Sequence, residues 1–344
     1  MTSNAGHFAL VVGVDHYPDF RPLKGACNDA RAFAQWLGHP DGGALPAANI
    51  ACVLSSDPPP KPIHEEIDDA LQALKRKVRE ATIGVEARRF YFYFSGHGLG
   101  IDNRSTALCL PRWSHERRMA ALDFESYVRL IMGWGLFAET VFLLDCCRVR
   151  LISGGGLASS LASAAPGDET SKSRSFIAYA AEFTQAAWEG AIADDAGGEE
   201  VRGHFTTALI AALSGAAAEP SGGVTAARLK DYIETQTPLI ARAKNQYQNA
   251  EVDNGLSALS NPVFGRARPT GTCEVVIHFA PTTHGEVVVE DGQLNELRRG
   301  DASSGPWRIA VRGPTRLAVR RPPDGPEISV RVGAESTEDL HVEF

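Results

Sequence analysis

Two short apolar runs stop abruptly at reactive side chains, and nothing else in the chain restricts its possible folds as much. Val141-Phe-Leu-Leu-Asp145 ends in Cys146-Cys147-Arg148, and Arg89-Phe-Tyr-Phe-Tyr-Phe94 ends in Ser95-Gly96-His97-Gly98. Short runs of β-branched and aromatic residues bounded by glycine and small polar residues read as strands. Without polar alternation they belong to a sheet covered on both faces. In an open α/β sheet, chemistry collects beyond the carboxyl ends of the strands. Two such strands would deliver an imidazole and a thiol to one edge, with His97 standing 50 residues before Cys147. Side chains alternate at a strand end, so only one of Cys146 and Cys147 can face His97.

The rest of the first 267 residues fits the same plan. Phe8–Val14 reads as a continuous apolar strand, and Asn28-Asp29 as a cap for a helix over Ala30–Leu37. Ile50–Leu54 reads as a strand and roughly 63–82 as a helix with Ile67, Leu71, Leu74 and Val78 on one face. Ala107–Leu110, Phe124–Met132, Ser175–Ala181, Phe205–Leu213 and a helix from Val224 to about Ala241 complete a β-α-β order. The predicted architecture is three-layer α/β with a mostly parallel central sheet. Residues 148–174 and 194–203 read as polar loops. From Thr272 the pattern changes to six short alternating runs separated by Gly, Pro and Asp, which predicts an all-β, sandwich-like module. The expected domains are therefore 1–267 and 268–344.

Composition removes several function classes. The 344 residues carry a formal charge of −8, which disfavours a general binder of nucleic acid or anionic membranes. Arg308, Arg316, Arg320 and Arg331 alternate with core positions, which fits a solvated strand face better than an anion-binding stripe. No apolar run approaches the ~20 residues of a membrane span, and the N-terminus has no secretory pattern. Six scattered cysteines without paired CxxC spacing point to a reduced, cytoplasmic setting rather than a disulfide or zinc framework. Val12-Gly13-Val14 lacks the Gly-rich loop of a nucleotide-binding α/β protein. No cofactor is expected.

Ala9-Leu-Val-Val-Gly-Val-Asp15-His-Tyr, then Leu23-Lys-Gly-Ala-Cys27-Asn28-Asp29, joins the two strand-end motifs in an ordered set. Over roughly residues 6–266 the chain resembles the caspase/metacaspase cysteine peptidases in their bacterial form. That resemblance implies Cys147 as nucleophile, with Cys146 a small packing residue, and His97 as its acid–base partner. It implies an oxyanion hole from the Gly98 and Cys147 amides, and a first substrate pocket formed by Asp29, Ser95 and Asp145. Two carboxylates there imply cleavage after Arg or Lys. Caspases carry an arginine for acidic substrates at the position of Leu23. Ala26 and Arg148-Val149 depart from the metacaspase pattern.

A free thiol needs a neighbour to ionise near neutral pH, and His97 as imidazolium is expected to supply that help. The acids of 99–140 (Asp102, Glu116, Asp123, Glu125, Glu139) are too scattered for a calcium ladder, so calcium activation is disfavoured. The resemblance further implies a role in regulated cell death or defence, protein or peptide substrates, and self-cleavage after Lys172, Arg174 or Arg202. Two alternatives stand beside this: a protease of non-basic specificity, and a silent scaffold binding partners through the β module.

Overall fold

The computed structural model describes residues 4–56, 58–81, 88–102, 105–150, 156–161, 173–193, 198–219, 222–256, 261–267, 273–292, 294–311, 315–322, 325–332 and 338–344. The first apolar run is β1 (His7–Gly13), followed by α1 (Ala26–Gly38), β2 (Ile50–Leu54) and α2 (His64–Ala81). The aromatic run is β3 (Arg89–Ser95). It leads into a small antiparallel sheet of β4 (Gly98–Gly100), β5 (Thr106–Cys109) and β6 (Ala121–Asp123), then α3 (Phe124–Gly133). β7 (Glu139–Asp145) carries the cysteine motif at its end, and β8 (Arg174–Tyr179) follows. A hairpin of β9 (Glu189–Ala193) and β10 (Glu199–Gly203) opens into α4 (His204–Ala211). β11 (Gly223–Thr225), α5 (Ala226–Ala243), β12 (Glu251–Asn254) and β13 (Val263–Arg266) end this part.

The six-stranded sheet runs β12-β8-β7-β3-β1-β2, parallel throughout except for β12 at the edge. Period-two alternation sorts its side chains between two cores. Phe90, Phe92, Phe94, Phe142 and Leu144 pack with Ile67, Leu71 and Leu74 of α2 and Phe124 and Tyr127 of α3. Tyr91, Tyr93, Val141 and Leu143 pack on the other face with Phe33 of α1, Phe205 and Leu209 of α4, and Leu229 and Ile233 of α5. Every residue of β3 is buried, as a strand covered on both faces requires. This is the expected three-layer α/β fold.

Several sequence expectations change. α1 starts at Ala26 with Gly25 at its N-cap, so Asn28 and Asp29 lie within the first turn and cap nothing. The Asp29 carboxylate is taken by tertiary partners instead. The polar stretch around 194–203 contains β10, and the edge strand β12 has no apolar alternation to announce it. The loop after Cys147 is anchored where it is described. Leu157 bridges to Leu122, and Asp68 accepts from Tyr127 Oη (2.7 Å), Ser159 Oγ (2.7 Å), Ser160 N (2.6 Å) and Ser160 Oγ (2.6 Å). Arg174 opens β8 opposite Glu139, and Arg202 lies in β10 paired with Glu200. Both proposed cut sites thus sit in paired strands, while Lys172 lies outside the described residues.

The C-terminal strands are β14 (Cys273–Phe279), β15 (Glu286–Asp291), β16 (Glu296–Asp301), β17 (Trp307–Val311), β18 (Thr315–Arg320), β19 (Glu327–Val332) and β20 (Glu338–Val342). They form sheets β17-β14-β20 and β16-β15-β18-β19 around Val275, Ile277, Val289, Trp307, Leu317 and Val319. β16 escaped the sequence reading because most of its side chains are exposed. No helix among the described residues is long and apolar enough to cross a membrane. This third core shares no residue with the other two. A fragment ending at Ala267 should therefore unfold cooperatively and keep any peptidase activity that the full chain shows on a small peptide. A fragment that is unfolded, or folded but inactive, would show that the C-terminal strands complete the site.

Candidate active site

β3 and β7 pair in parallel through seven rungs, the last being Ser95 opposite Asp145. His97 and Cys147 each stand two residues beyond that rung, so equal chain lengths carry them past one sheet edge. Cys147 continues the odd-numbered side of β7, the side of Leu143, and meets Ala187 there, whereas the His97 ring turns to Tyr17 and Phe20 of the α2–α3 side. Cys146 continues the other side and is buried at 2% exposure in the core with Leu144 and Phe94. The two chain ends are in close contact. A Cβ on Gly98 would lie 2.5 Å from both Cys146 Sγ and the Cys147 carbonyl oxygen, so only glycine fits there.

The imidazole is held by its surroundings. His97 Nε2 lies 2.7 Å from the Arg21 carbonyl oxygen, and the ring packs tilted against Tyr17 (4.6 Å) and edge-on to Phe20 (4.8 Å). Tyr17 Oη accepts from the His97 amide (2.8 Å) and donates to the Cys109 carbonyl (3.1 Å). A carbonyl only accepts, so Nε2 carries the proton and Nδ1 keeps the lone pair of the neutral ring. Burial lowers the His97 pKa from 6.5, against the opposing Arg21 hydrogen bond. The Cys147 thiol accepts from the Ala187 amide (3.3 Å) and donates to the Ala187 carbonyl (3.5 Å). Burial raises its pKa above 9.0, opposed by the Ala187 and Cys147 amides. At neutral pH both groups are therefore neutral, and no hydrogen bond joins them among the described residues. This corrects the expected imidazolium that depresses the thiol pKa.

Beside them lies a set of buried acids. Asp29 is 1% exposed and accepts from Ser95 Oγ (3.0 Å) and from the Gly203 amide (3.0 and 3.1 Å). Asp145 is 5% exposed, and its Oδ2 accepts from Thr206 N (3.0 Å) and Thr206 Oγ1 (2.6 Å) at the start of α4. The Thr206 hydroxyl proton is thereby used, so Tyr93 Oη donates to Thr206 Oγ1 at 2.5 Å. Gly203 separates the two acids, and a Cβ there would fall 2.1 Å from Asp145 Oδ2. Glu189, the register partner of Gly203, completes the group and accepts from the Gly25 amide at 2.9 Å. Burial, and then the charge of Asp145, raises Asp29 well above the usual carboxylate range. Burial and the Glu189 charge push Asp145 up to about 6 despite the Thr206 bonds.

All six expected site residues thus gather at one edge of the sheet. The sequence reading missed Tyr17, Glu189, Gly203, Thr206 and the segment around Ala187. Tyr17 was within reach, since it closes the Asp15-His16-Tyr17 motif. Glu189 sits in a hairpin without strand-like periodicity and gave no signal. Among the described residues, no group of three His, Cys, Asp or Glu side chains has metal-binding geometry.

Fold and edge together define an α/β protein with a thiol, an imidazole and an acidic pocket at the carboxyl end of a parallel sheet. The caspase domain of the C14 peptidases matches residues 7–252, and the chain belongs to that family. A probable protease from a Desulfuromonadales bacterium is 32% identical over 222 residues, covering 61% of this chain. The chain spans about a quarter of that relative's length, 26%. A solved pro-caspase, pro-sf-caspase-1, aligns over 77% of this chain and 96% of its own at 12% identity and a TM-score of 0.43.

The raised acids give a signed stability prediction. Asp145 ionises near 6 when folded and near 3.8 when unfolded, so the folded state holds the extra proton between these values. Stability contributed by this group is present at low pH and is lost as pH rises through about 6. Asp145→Asn retains an acceptor for Thr206 and should remove this dependence, leaving the substrate-free variant at least as stable as wild type at pH 7. Denaturant melts of both proteins from pH 4 to 8 would check it, and parallel curves would refute it.

Proposed function

We propose that the protein is a cysteine endopeptidase using His97 and Cys147, and that it cleaves protein substrates after Arg or Lys. The observation that supports this reading is the last rung of β3 and β7, Ser95 opposite Asp145, with His97 and Cys147 each two residues beyond it and Ser95 Oγ bonded to Asp29. A guanidinium entering between the acids meets carboxylates that burial has left short of counter-charge. Its charge favours their ionisation, and planar two-point pairing suits arginine best.

The chemistry follows from the protonation states. His97 Nδ1 takes the thiol proton as Sγ attacks the scissile carbonyl, so no standing thiolate is required. The Gly98 and Cys147 amides stabilise the oxyanion, where a donor contributes ~3 kcal/mol. The imidazolium protonates the leaving amine as the C–N bond breaks, and water then hydrolyses the thioester with His97 as base. The Arg21 carbonyl and the Tyr17 ring orient the imidazole through both halves. Residues 268–344 form an accessory domain in this reading, positioned to bind a partner or protein substrate. A cytoplasmic role in regulated cell death or defence rests on family likeness.

Cys147→Ala should abolish hydrolysis of an arginyl reporter and labelling by an electrophilic arginyl peptide, while Cys146→Ala keeps both. The reverse pattern would move the nucleophile to Cys146. Asp29→Asn and Asp145→Asn should each lower kcat/KM for that reporter by roughly 30-fold or more, since losing one partner of a buried charge pair costs ~2–5 kcal/mol. A substrate library that favoured acidic residues would overturn the specificity. Hydrolysis of basic reporters should decline below about pH 6 as Asp145 takes its proton. Asp145→Asn should lose that limb along with most of its activity.

A further inference from the structure

The four arginines that alternate with core residues in the C-terminal strands divide into two kinds. Arg308 pairs with Glu274 at 3.2 Å and Arg320 with Glu290 at 2.6 Å. The guanidinium groups of Arg316 and Arg331 make no ion pair or hydrogen bond among the described residues. They are nonetheless Cα partners across β18 and β19, an arrangement in which like charges repel. Both line an open cleft of about 550 Å3 whose opposite wall includes Glu182, Phe183, Glu234 and Glu251.

The charges facing this cleft do not cancel. Glu234 is already held by Lys230 (2.6 Å) and Glu251 by Arg148 (2.6 Å). Among the described residues Glu182 accepts from neutral donors, Gln185 Nε2 at 2.5 Å and Asn249 Nδ2 at 3.5 Å. Asp231 also attracts Arg316, though Arg228 acts on it more strongly, and Glu234 and Glu182 attract Arg331 less than Arg316 and Arg242 repel it. The side chains of Arg316 and Arg331 are directed into a space large enough for a small organic ligand.

We propose that this cleft binds a small ligand carrying at least two oxyanion charges, from phosphate or carboxylate groups. Paired guanidiniums on adjacent strands recognise such groups by charge-assisted, two-point hydrogen bonds. Occupancy also reaches the nucleophile. Arg148, next to Cys147 and 1% exposed, lies 4.1 Å over the Tyr179 ring and depends on Glu251 in the cleft wall. Its amide donates to the Gln185 carbonyl, and Gln185 also bonds Glu182, two residues before the Ala187 that holds the thiol. A polyanion held by Arg316 and Arg331 repels the Glu182 and Glu251 carboxylates, and through their bonds to Gln185 and Arg148 it alters the reactivity of Cys147.

The test uses the full chain with pyrophosphate and citrate as probes, each at about 5 mM in about 0.15 M salt, so that general screening is constant. One or both should raise Tm by roughly 2 °C or more. A larger effect of pyrophosphate identifies phosphate as the chemistry, and a larger effect of citrate identifies carboxylate. The Arg316→Ser/Arg331→Ser double variant should lose the shift while keeping basal reporter hydrolysis. Should it fail to fold, Arg316→Gln alone should weaken binding by about tenfold or more. No shift with either probe, or the same shift in the variants, would overturn the site. With the cleft saturated, the iodoacetamide reaction rate of Cys147 should change by about threefold or more. An unchanged rate would overturn the coupling.

Discussion

Everything at the functional edge depends on the register of β3 against β7, which is pinned at its first rung. There the Arg89 guanidinium, 3% exposed, meets Glu139 at 2.6 and 2.8 Å, and it also bonds Tyr91 Oη at 3.1 Å. A slip of one residue would invert every side chain of two strands covered on both faces. It would also leave a buried guanidinium without its carboxylate, a loss of ~3–5 kcal/mol. Six rungs later the same register sets Ser95 beside Asp145, and so fixes where His97 and Cys147 leave the sheet. A contact far from the chemistry thus decides the alignment of the chemistry.

At the opposite end the sheet carries a local cost. Asp29 and Asp145 are buried within one cluster, with Glu189 beside Gly203, and burial dominates both raised pKa values. Packing does not require two acids at this place, because a strand end next to a helix N-terminus is served by one. Asp145 alone supplies the acceptor for Thr206. The second acid, Asp29, is held by Ser95 Oγ and the Gly203 amide, neutral donors that leave its pKa raised. Sites at which a sequence works against its own stability are where function concentrates.

The legible parts of the sequence were those governed by periodicity. β3, β7 and α2 announce themselves by unbroken apolar runs or an i, i+4 stripe, and the edge motifs follow from where those runs stop. The start of α1 was misread because Asn28-Asp29 has good capping chemistry, yet Ser95 and Gly203 claim the Asp29 carboxylate from 66 and 174 residues away. Glu189-Gly-Ala-Ile-Ala193 and Glu199-Glu-Val-Arg-Gly203 form a hairpin through packing on α1 and α4, and small and charged residues hide it from any period-two test. The protonation states were least legible. A thiol and an imidazole on adjacent strand ends suggest an ion pair, and only the burial of both shows that each stays neutral.

That neutrality bears on how the Cys147 thiol is held. Among the described residues the thiol has no bond to His97 and takes its position from the backbone: the Ala187 amide and carbonyl hold the sulfur. The next residue is fixed by the Arg148 amide on the Gln185 carbonyl (2.9 Å) and the Thr184 amide on the Arg148 carbonyl (3.0 Å). One position further on, the Gly100 amide bonds the Val149 carbonyl at 3.0 Å, which ties the chain after Cys147 to the chain after His97. A thiolate generated in this setting would cost desolvation with no cation beside it among the described residues, so the resting state avoids it. Charge is best created only when a carbonyl carbon is in place to receive the sulfur and backbone amides to receive the oxygen. Such a site spends its preorganisation on the transition state rather than on a reactive ground state. Its thiol is also shielded from indiscriminate alkylation and oxidation, because those reactions follow thiolate character.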